Sequence, residues 1–374
     1  MVRAVAIAMV VFSHVSLFFP NCNNIFTNGM QIIGVLGVEI FFVLSGFLIG
    51  GILLRLLRST NFSSRVILGF WVRRWFRTLP LYFLVLLLNI LLVVFLGDTF
   101  PESLWKYFLF LQNFSYEYLP FFPESWSLSI EEFAYLLGPI VLFILYGFFK
   151  NTRLKNELVF LVTSYLLVVV FLLLKMYYHV SNLAMEQSLV YWNSNLKALV
   201  IYRLDAVFTG FILVYYFEKH SNWIKKNKIR LFVIGFLMCL LTVVVLPLAG
   251  LRIEKFPFYW NVLYLPINSL AVCLTLPFFY FLKRPNKVLN KFIENLSLYS
   301  YAIYLLHYSF MFYVIGCFWD IQKLTTLQSF FMAFLYLIMT YFLSKTVYLY
   351  YEKPIMDLRD SGLIKRIFRK QVVK

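Results

Sequence analysis

The chain reads as long apolar blocks separated by short polar segments. About ten blocks reach roughly twenty residues, the length a helix needs to cross the hydrocarbon core of a bilayer. Their limits are 4–20, 31–54, 79–96, 127–149, 157–175, 199–217, 231–250, 261–282, 297–317 and 327–349. The pattern predicts an all-α fold, a polytopic membrane helix bundle with about ten transmembrane helices. One domain covers 1–354 and a short basic tail covers 355–374, with no internal repeat and no low-complexity linker. The longest loop, 97–126, carries an apolar patch at 105–111 that is too short to span; it is expected to lie at the interface or re-enter.

Composition agrees with this reading. Hydrophobic residues make up 62% of the 374 positions and charged residues 14%, against about 45–50% and 25% in soluble domains. The net charge of +17 would suit a polyanion partner if it were spread evenly, but it is not. Basic residues collect in alternate connections: Arg55 to Arg77, Lys150 to Lys155, Lys219 to Arg230, Lys283 to Lys291, and the tail. The other connections hold only Lys106, Lys175, Lys197, Arg252, Lys255 and Lys323. By the positive-inside rule both termini are expected in the cytoplasm and no nucleic-acid partner is needed; the expected location is the inner (plasma) membrane. Cys22, Cys239, Cys273 and Cys317 form no C-x-x-C pair, so neither a disulfide framework nor a metal site is expected. Only Arg3 precedes the first block and no small-residue cleavage site follows it, so that block is expected to remain in the mature protein.

Polar groups inside the blocks are the functional candidates, because an ionisable group at that depth is costly. Arg3 and His14 are eleven residues apart in the first block. They lie on one helical stripe about 16 Å apart, with His14 past the midplane. His14 is the candidate catalytic base, and Glu39, at similar depth in the second block, is expected to orient its imidazole. Arg74 and Arg77, three apart, share a face near the inner surface, and with neighbouring Arg73 they suit phosphates. Glu131 is a candidate for a hydroxylated acceptor, while Ser129 and Glu132 fit a capping box. Arg203 and Asp205 are two residues apart and cannot pair on a helix; Arg203 could neutralise Glu39 or Glu131, or hold a substrate oxygen. Ser297, Ser300, Tyr304 and His307 form a polar stripe facing protein or water. There, packing of His307 competes with a role in substrate binding.

These motifs together resemble the acyltransferase-3 family of integral membrane O-acyltransferases. The resemblance rests on Arg3-x10-His14, Gly37-Val-Glu-Ile-Phe-Phe-Val-Leu-Ser-Gly46, Arg74-Trp-Phe-Arg77 with Leu79-Pro80, and Trp126-Ser-Leu-Ser-Ile-Glu131. Arg203-Leu-Asp205, Ser300-Tyr-Ala-Ile-Tyr-Leu-Leu-His307 and Tyr351-Glu-Lys-Pro354 extend it along nearly the whole chain. It implies a ten-helix bundle and transfer of an acyl group, usually acetyl from acetyl-CoA, to a hydroxyl. It also implies essential roles for Arg3 and His14, and a coenzyme A phosphate site at Arg74 and Arg77. The chain departs from the family pattern in beginning almost at Arg3 and in carrying Ala134 where an aromatic is common.

The resulting expectation is an acyl-CoA-dependent O-acyltransferase. Acyl-CoA arrives from the cytoplasm, and the acceptor is a hydroxyl of a cell-surface polysaccharide, such as lipopolysaccharide O-antigen, or of a glycolipid. Catalysis falls to His14, Glu39 and Arg3, and donor binding to Arg73, Arg74 and Arg77. Acceptor binding falls to Glu131, Arg203, Tyr304 and His307. A transporter or flippase of glycan intermediates is the alternative. Intramembrane charges suit it too, but the paired inverted halves typical of transporters are missing.

Overall fold

A computed structural model describes residues 1–19, 25–59, 62–116, 121–152, 154–283 and 286–359. Cys22, Arg153, Arg284 and the tail from 360 to 374 lie outside the described residues. The helices are α1 (Val2–Val15), extended by a 3-10 turn over Ser16–Phe18, α2 (Ile25–Ser59), α3 (Ser64–Leu96) and α4 (Ser125–Phe149). They continue with α5 (Asn156–Ser181), α6 (Val200–Lys219), α7 (Ser221–Leu248) and α8 (Tyr259–Tyr280). The last are α9 (Lys287–Leu306), α10 (Ser309–Gly316) and α11 (Thr326–Leu358).

Among the described residues, eight helices are long and apolar enough to cross a membrane, and α9 with α10 makes a ninth if the pair is one span. The first expected block is shorter than the rest, an apolar helix over Val2–Phe18. The expected all-α membrane bundle is therefore the observed architecture, with one short member and one broken one. The third block begins earlier than hydropathy alone indicates. Residues 64–78, with all their arginines, are helical and continuous with the apolar part of α3.

Close backbone approach joins α2 to α6. A Cβ on Gly46 would sit 1.8 Å from the Val207 carbonyl oxygen, and one on Gly210 would sit 2.3 Å from the Val43 carbonyl oxygen. Only glycine permits this separation, the usual device where helices pack without a hydrophobic drive between them. Pro80 removes one N–H from the helical ladder of α3. Tyrosine hydroxyls from two other helices reach this stretch: Tyr301 donates to the Thr78 carbonyl at 2.7 Å and Tyr351 to the Pro80 carbonyl at 3.2 Å.

The long loop folds back on the bundle. Its apolar patch forms a short helix at Trp105–Phe108, and the Tyr82 hydroxyl donates to the Tyr107 carbonyl at 2.8 Å. Gln112 and Asn113 follow, fully buried. Gln112 donates to Ser125 Oγ (3.0 Å) and Ser129 Oγ (2.8 Å), and Asn113 to the Ala198 and Trp126 carbonyls. Ser129 is thus committed to the loop. Because α4 already starts at Ser125, the expected Ser129–Glu132 capping box does not form.

The break between α9 and α10 bends the chain by 61° at His307 and Tyr308. No proline causes it. Glu124 Oε1 accepts from both the backbone N–H and the hydroxyl of Ser309, at 3.1 and 2.8 Å. A carboxyl from the end of the long loop therefore satisfies the first donors of α10, which have no partner within the helix.

Candidate active site

A cavity of about 70 Å³ opens among α1, α2, α3, α4 and α9, lined by Arg3, Ser45, Arg74, Arg77, Glu131 and Tyr304 among others. Helical phase explains the convergence: Arg74 and Arg77 lie three residues apart and project from one face of α3. Arg74 Nη2 donates to Tyr135 Oη at 2.7 Å, and its guanidinium lies 4.3 Å from the centre of that ring. Tyr135 donates to Glu131 Oε2 at 2.7 Å, and Ser45 donates to Glu131 Oε1 at 2.9 Å. Glu131 is thereby fixed beside the arginines. Arg3 and Arg77 form no ion pair among the described residues, although Glu352 on α11 acts on both electrostatically. Three arginines and one carboxylate thus line the cavity, with Glu132 and Glu352 acting on the arginines from behind it. Arg73, expected with its neighbours, is exposed and does not line it, because it falls on another face of α3.

Tyr304 leads from this cavity toward the far end of α1. Its hydroxyl lies 2.6 Å from Ser127 Oγ and donates to the Glu124 carbonyl at 3.1 Å. His307, one turn on, is fully buried with its Nδ1 2.7 Å from the Tyr304 carbonyl. His14 is half-buried, and its ring meets protein: it lies 4.9 Å from the His307 ring and 4.7 Å from the Tyr308 ring, centre to centre. Its Nδ1 is 2.9 Å from the Val10 carbonyl. A carbonyl only accepts, so in both histidines Nδ1 carries a proton, and in the neutral ring Nε2 presents a lone pair. His307 Nε2 has no hydrogen-bond partner among the described residues. His14 does not line the arginine cavity; the Tyr304 and His307 rings stand between them.

Glu39 corrects an expectation. It does not orient His14. Its Oε2 accepts from Arg203 Nη2 at 2.5 Å and its Oε1 from the Ser269 hydroxyl, all buried. Arg203 thus neutralises Glu39, one of the alternatives its sequence position left open. It lines neither the arginine cavity nor any contact with Glu131, which corrects its place beside Glu131 in an acceptor site. The reason is geometric: α6 lies directly on the Glu39 face of α2, drawn in by Gly46 and Gly210. Asp205, unable to reach Arg203, pairs with Lys175, a lysine expected at the outer surface and found fully buried. Lys197 stacks over the Trp126 ring at 5.2 Å, and burial together with nearby Arg203 pushes its ammonium down to about 8.

Sequence reasoning missed Tyr135, Tyr308 and Glu124. Tyr135 sits one helical turn after Glu131, a signal that was readable. Glu124 lies just outside the fourth apolar block, in a loop whose path hydropathy does not describe.

A profile of the acyltransferase domain family matches residues 1–349. The chain belongs to the acyltransferase-3 family. Among curated relatives, this acyltransferase-3 member is similar to the peptidoglycan O-acetyltransferase OatA of Listeria monocytogenes, 32% identical over 141 residues, covering 34% of this chain and 22% of that protein. It is also similar to a Bacillus subtilis protein provisionally named peptidoglycan O-acetyltransferase YrhL, 33% identical over 149 residues (36% of this chain, 22% of the relative). A Staphylococcus aureus protein provisionally named an O-acetyltransferase is 34% identical over 124 residues (29% and 20%). The chain thus aligns with only about a fifth of the length of these relatives. No solved structure gives a significant match.

Proposed function

We propose that this multi-pass membrane protein is an O-acetyltransferase of the inner membrane, which moves an acetyl group from coenzyme A to a hydroxyl of an envelope glycan. The observation that carries the reading is the cavity whose lining brings together three arginines, Arg3, Arg74 and Arg77, with one carboxylate, Glu131. Guanidinium forks in a partly dry site suit phosphate oxygens, and coenzyme A is a thioester carrier rich in phosphate. Relatives named as peptidoglycan O-acetyltransferases make an envelope polysaccharide the favoured acceptor class.

In this reading the nucleotide end of acetyl-CoA rests on Arg74, Arg77 and Arg3, and the thioester end extends past Tyr304 toward His14. The small cavity must widen along that line for the donor to enter. His14 Nε2, unprotonated by virtue of the Val10 bond, takes the proton of the acceptor hydroxyl as its oxygen attacks the thioester carbonyl. The tetrahedral intermediate expels coenzyme A thiolate, which takes the proton from the imidazolium. The same lone pair also suits a two-step route through an acyl-histidine. Glu39 stabilises the α2–α6 contact from a distance and does not touch the reacting atoms.

The test is mass spectrometry of surface glycans from cells with the wild-type protein, without it, and with His14→Ala. Wild type should add ester-linked acetyl groups that the other two lack, with equal amounts of inserted protein. Acetylation by the His14→Ala protein would overturn both routes.

A further inference from the structure

A second cleft, of about 520 Å³, opens at the other end of the bundle from the arginine cavity. Leu17 and Leu96 line it, whereas Arg3 and Arg74 lie earlier on the same two helical stretches; at 1.5 Å per residue they are about 20 and 30 Å away along the axes. Phe121, Tyr308, Phe312, Tyr313, Cys317 and Gln322 form its walls. Among the described residues, no charged side chain lines it. Its chemistry is therefore the opposite of the arginine cavity: flat aromatic faces with a few neutral hydrogen-bonding groups.

Three further features tie the cleft to the chemistry. Tyr308 belongs both to its wall and to the contact with His14, 4.7 Å between ring centres. Ser309 also lines it, and behind Ser309 stands Glu124, a buried carboxyl whose second oxygen, Oε2, has no hydrogen-bond partner among the described residues. Tyr304, from the donor cavity, donates to the backbone carbonyl of the same Glu124. One layer of side chains thus separates the two cavities, and both histidine rings are in that layer.

We propose that this cleft is the acceptor site, and that it takes an uncharged pyranose ring of a glycan chain. The assignment rests on the acyltransferase reading above. Sugar rings offer an apolar C–H face and a rim of hydroxyls, which fits aromatic walls with Tyr308, Tyr313, Ser309 and Gln322 as hydrogen-bonding partners. A polyanion finds no counter-charge among the described residues that line it. The sugar hydroxyl to be acylated would pass Tyr308 to reach His14 Nε2.

Cys317 gives a direct test, because it is exposed in the cleft whereas Cys239 and Cys273 are buried. In a Cys22→Ser background, a charged, membrane-impermeant methanethiosulfonate is attached to Cys317. Labelling should reduce glycan acetylation roughly tenfold or more relative to the untreated protein while affinity for coenzyme A is unchanged, and Cys317→Ser, whatever its own untreated rate, should show no further loss on treatment. Tyr313→Ala should raise the acceptor KM and leave the acetyl-CoA KM as it was. Full acetylation by quantitatively labelled protein overturns the cleft assignment alone. A wild-type protein that acetylates no glycan overturns the functional reading, and the assignment with it.

Discussion

The imidazoles of His14 and His307 meet edge to face, 4.9 Å between centres with planes at 74°, where α9 ends. Each gives its Nδ1 proton to a carbonyl of its own helix, so two basic Nε2 atoms share one buried layer. Asparagine keeps a donor near the Nδ1 position and removes Nε2, which separates anchoring from basicity. His14→Asn should lower the transfer rate about 10²–10⁴-fold, the usual worth of a general base. His307→Asn should cost about tenfold or less, as a residue that positions the first ring. Turnover measured at saturating acetyl-CoA decides the order, and the reverse order would make His307 the base.

The arginine cavity makes a sharper distinction than charge alone. Arg74 reaches Tyr135 with a guanidinium nitrogen while its plane covers the ring. Lysine keeps the charge but has no planar fork. Arg74→Lys should therefore raise the acetyl-CoA KM roughly tenfold with a smaller loss in kcat. Arg73→Ala, on the exposed face outside the cavity, should leave both unchanged. Kinetics of coenzyme A release in vesicles with the arginine end exposed would read both variants.

How legible this was in the sequence depended on the kind of information required. Apolar block length located the helices, since it reports directly on hydrocarbon thickness. Helical spacing placed Arg74 and Arg77 on one face, and sterics on a helix correctly denied Arg203 a bond to Asp205. Partners across helices were not legible. Glu39 and His14 share a depth, but depth does not tell which face of α2 meets α1 and which meets α6. That was decided by where Gly46 and Gly210 allow the backbones to touch. The break after Leu306 was equally hidden, because the carboxyl that caps Ser309 arrives from a loop more than 180 residues earlier.

The Glu39–Arg203 pair should behave as structure, not as catalysis. Both side chains are buried, and removing one leaves the other charge uncompensated. Glu39→Leu or Arg203→Met alone should destabilise the protein by roughly 3–5 kcal/mol. The double variant Glu39→Leu/Arg203→Met should recover most of that loss, because no lone charge remains. Thermal unfolding in detergent measures the stability, and glycan acetylation measures function. A double variant that is stable but inactive would return Glu39 to the chemistry.

Glu124 supplies a pH dependence with a definite sign. Burial pushes its carboxyl up to about 8 from an ordinary 4.5, even with two donors from Ser309. The folded protein therefore holds this proton more tightly than the unfolded chain does. Stability from this group is complete below about pH 4.5 and declines as pH rises toward about 8, where the folded state must also ionise. Above that range it contributes nothing further. Unfolding temperature in detergent should fall between pH 5 and 9, and Glu124→Gln should flatten that slope while keeping an acceptor for Ser309. Glu124→Ala leaves the Ser309 donors bare and should cost roughly 1–3 kcal/mol at every pH. If the slope persists unchanged in Glu124→Gln, another group is titrating and the carboxyl does not hold its proton at neutral pH.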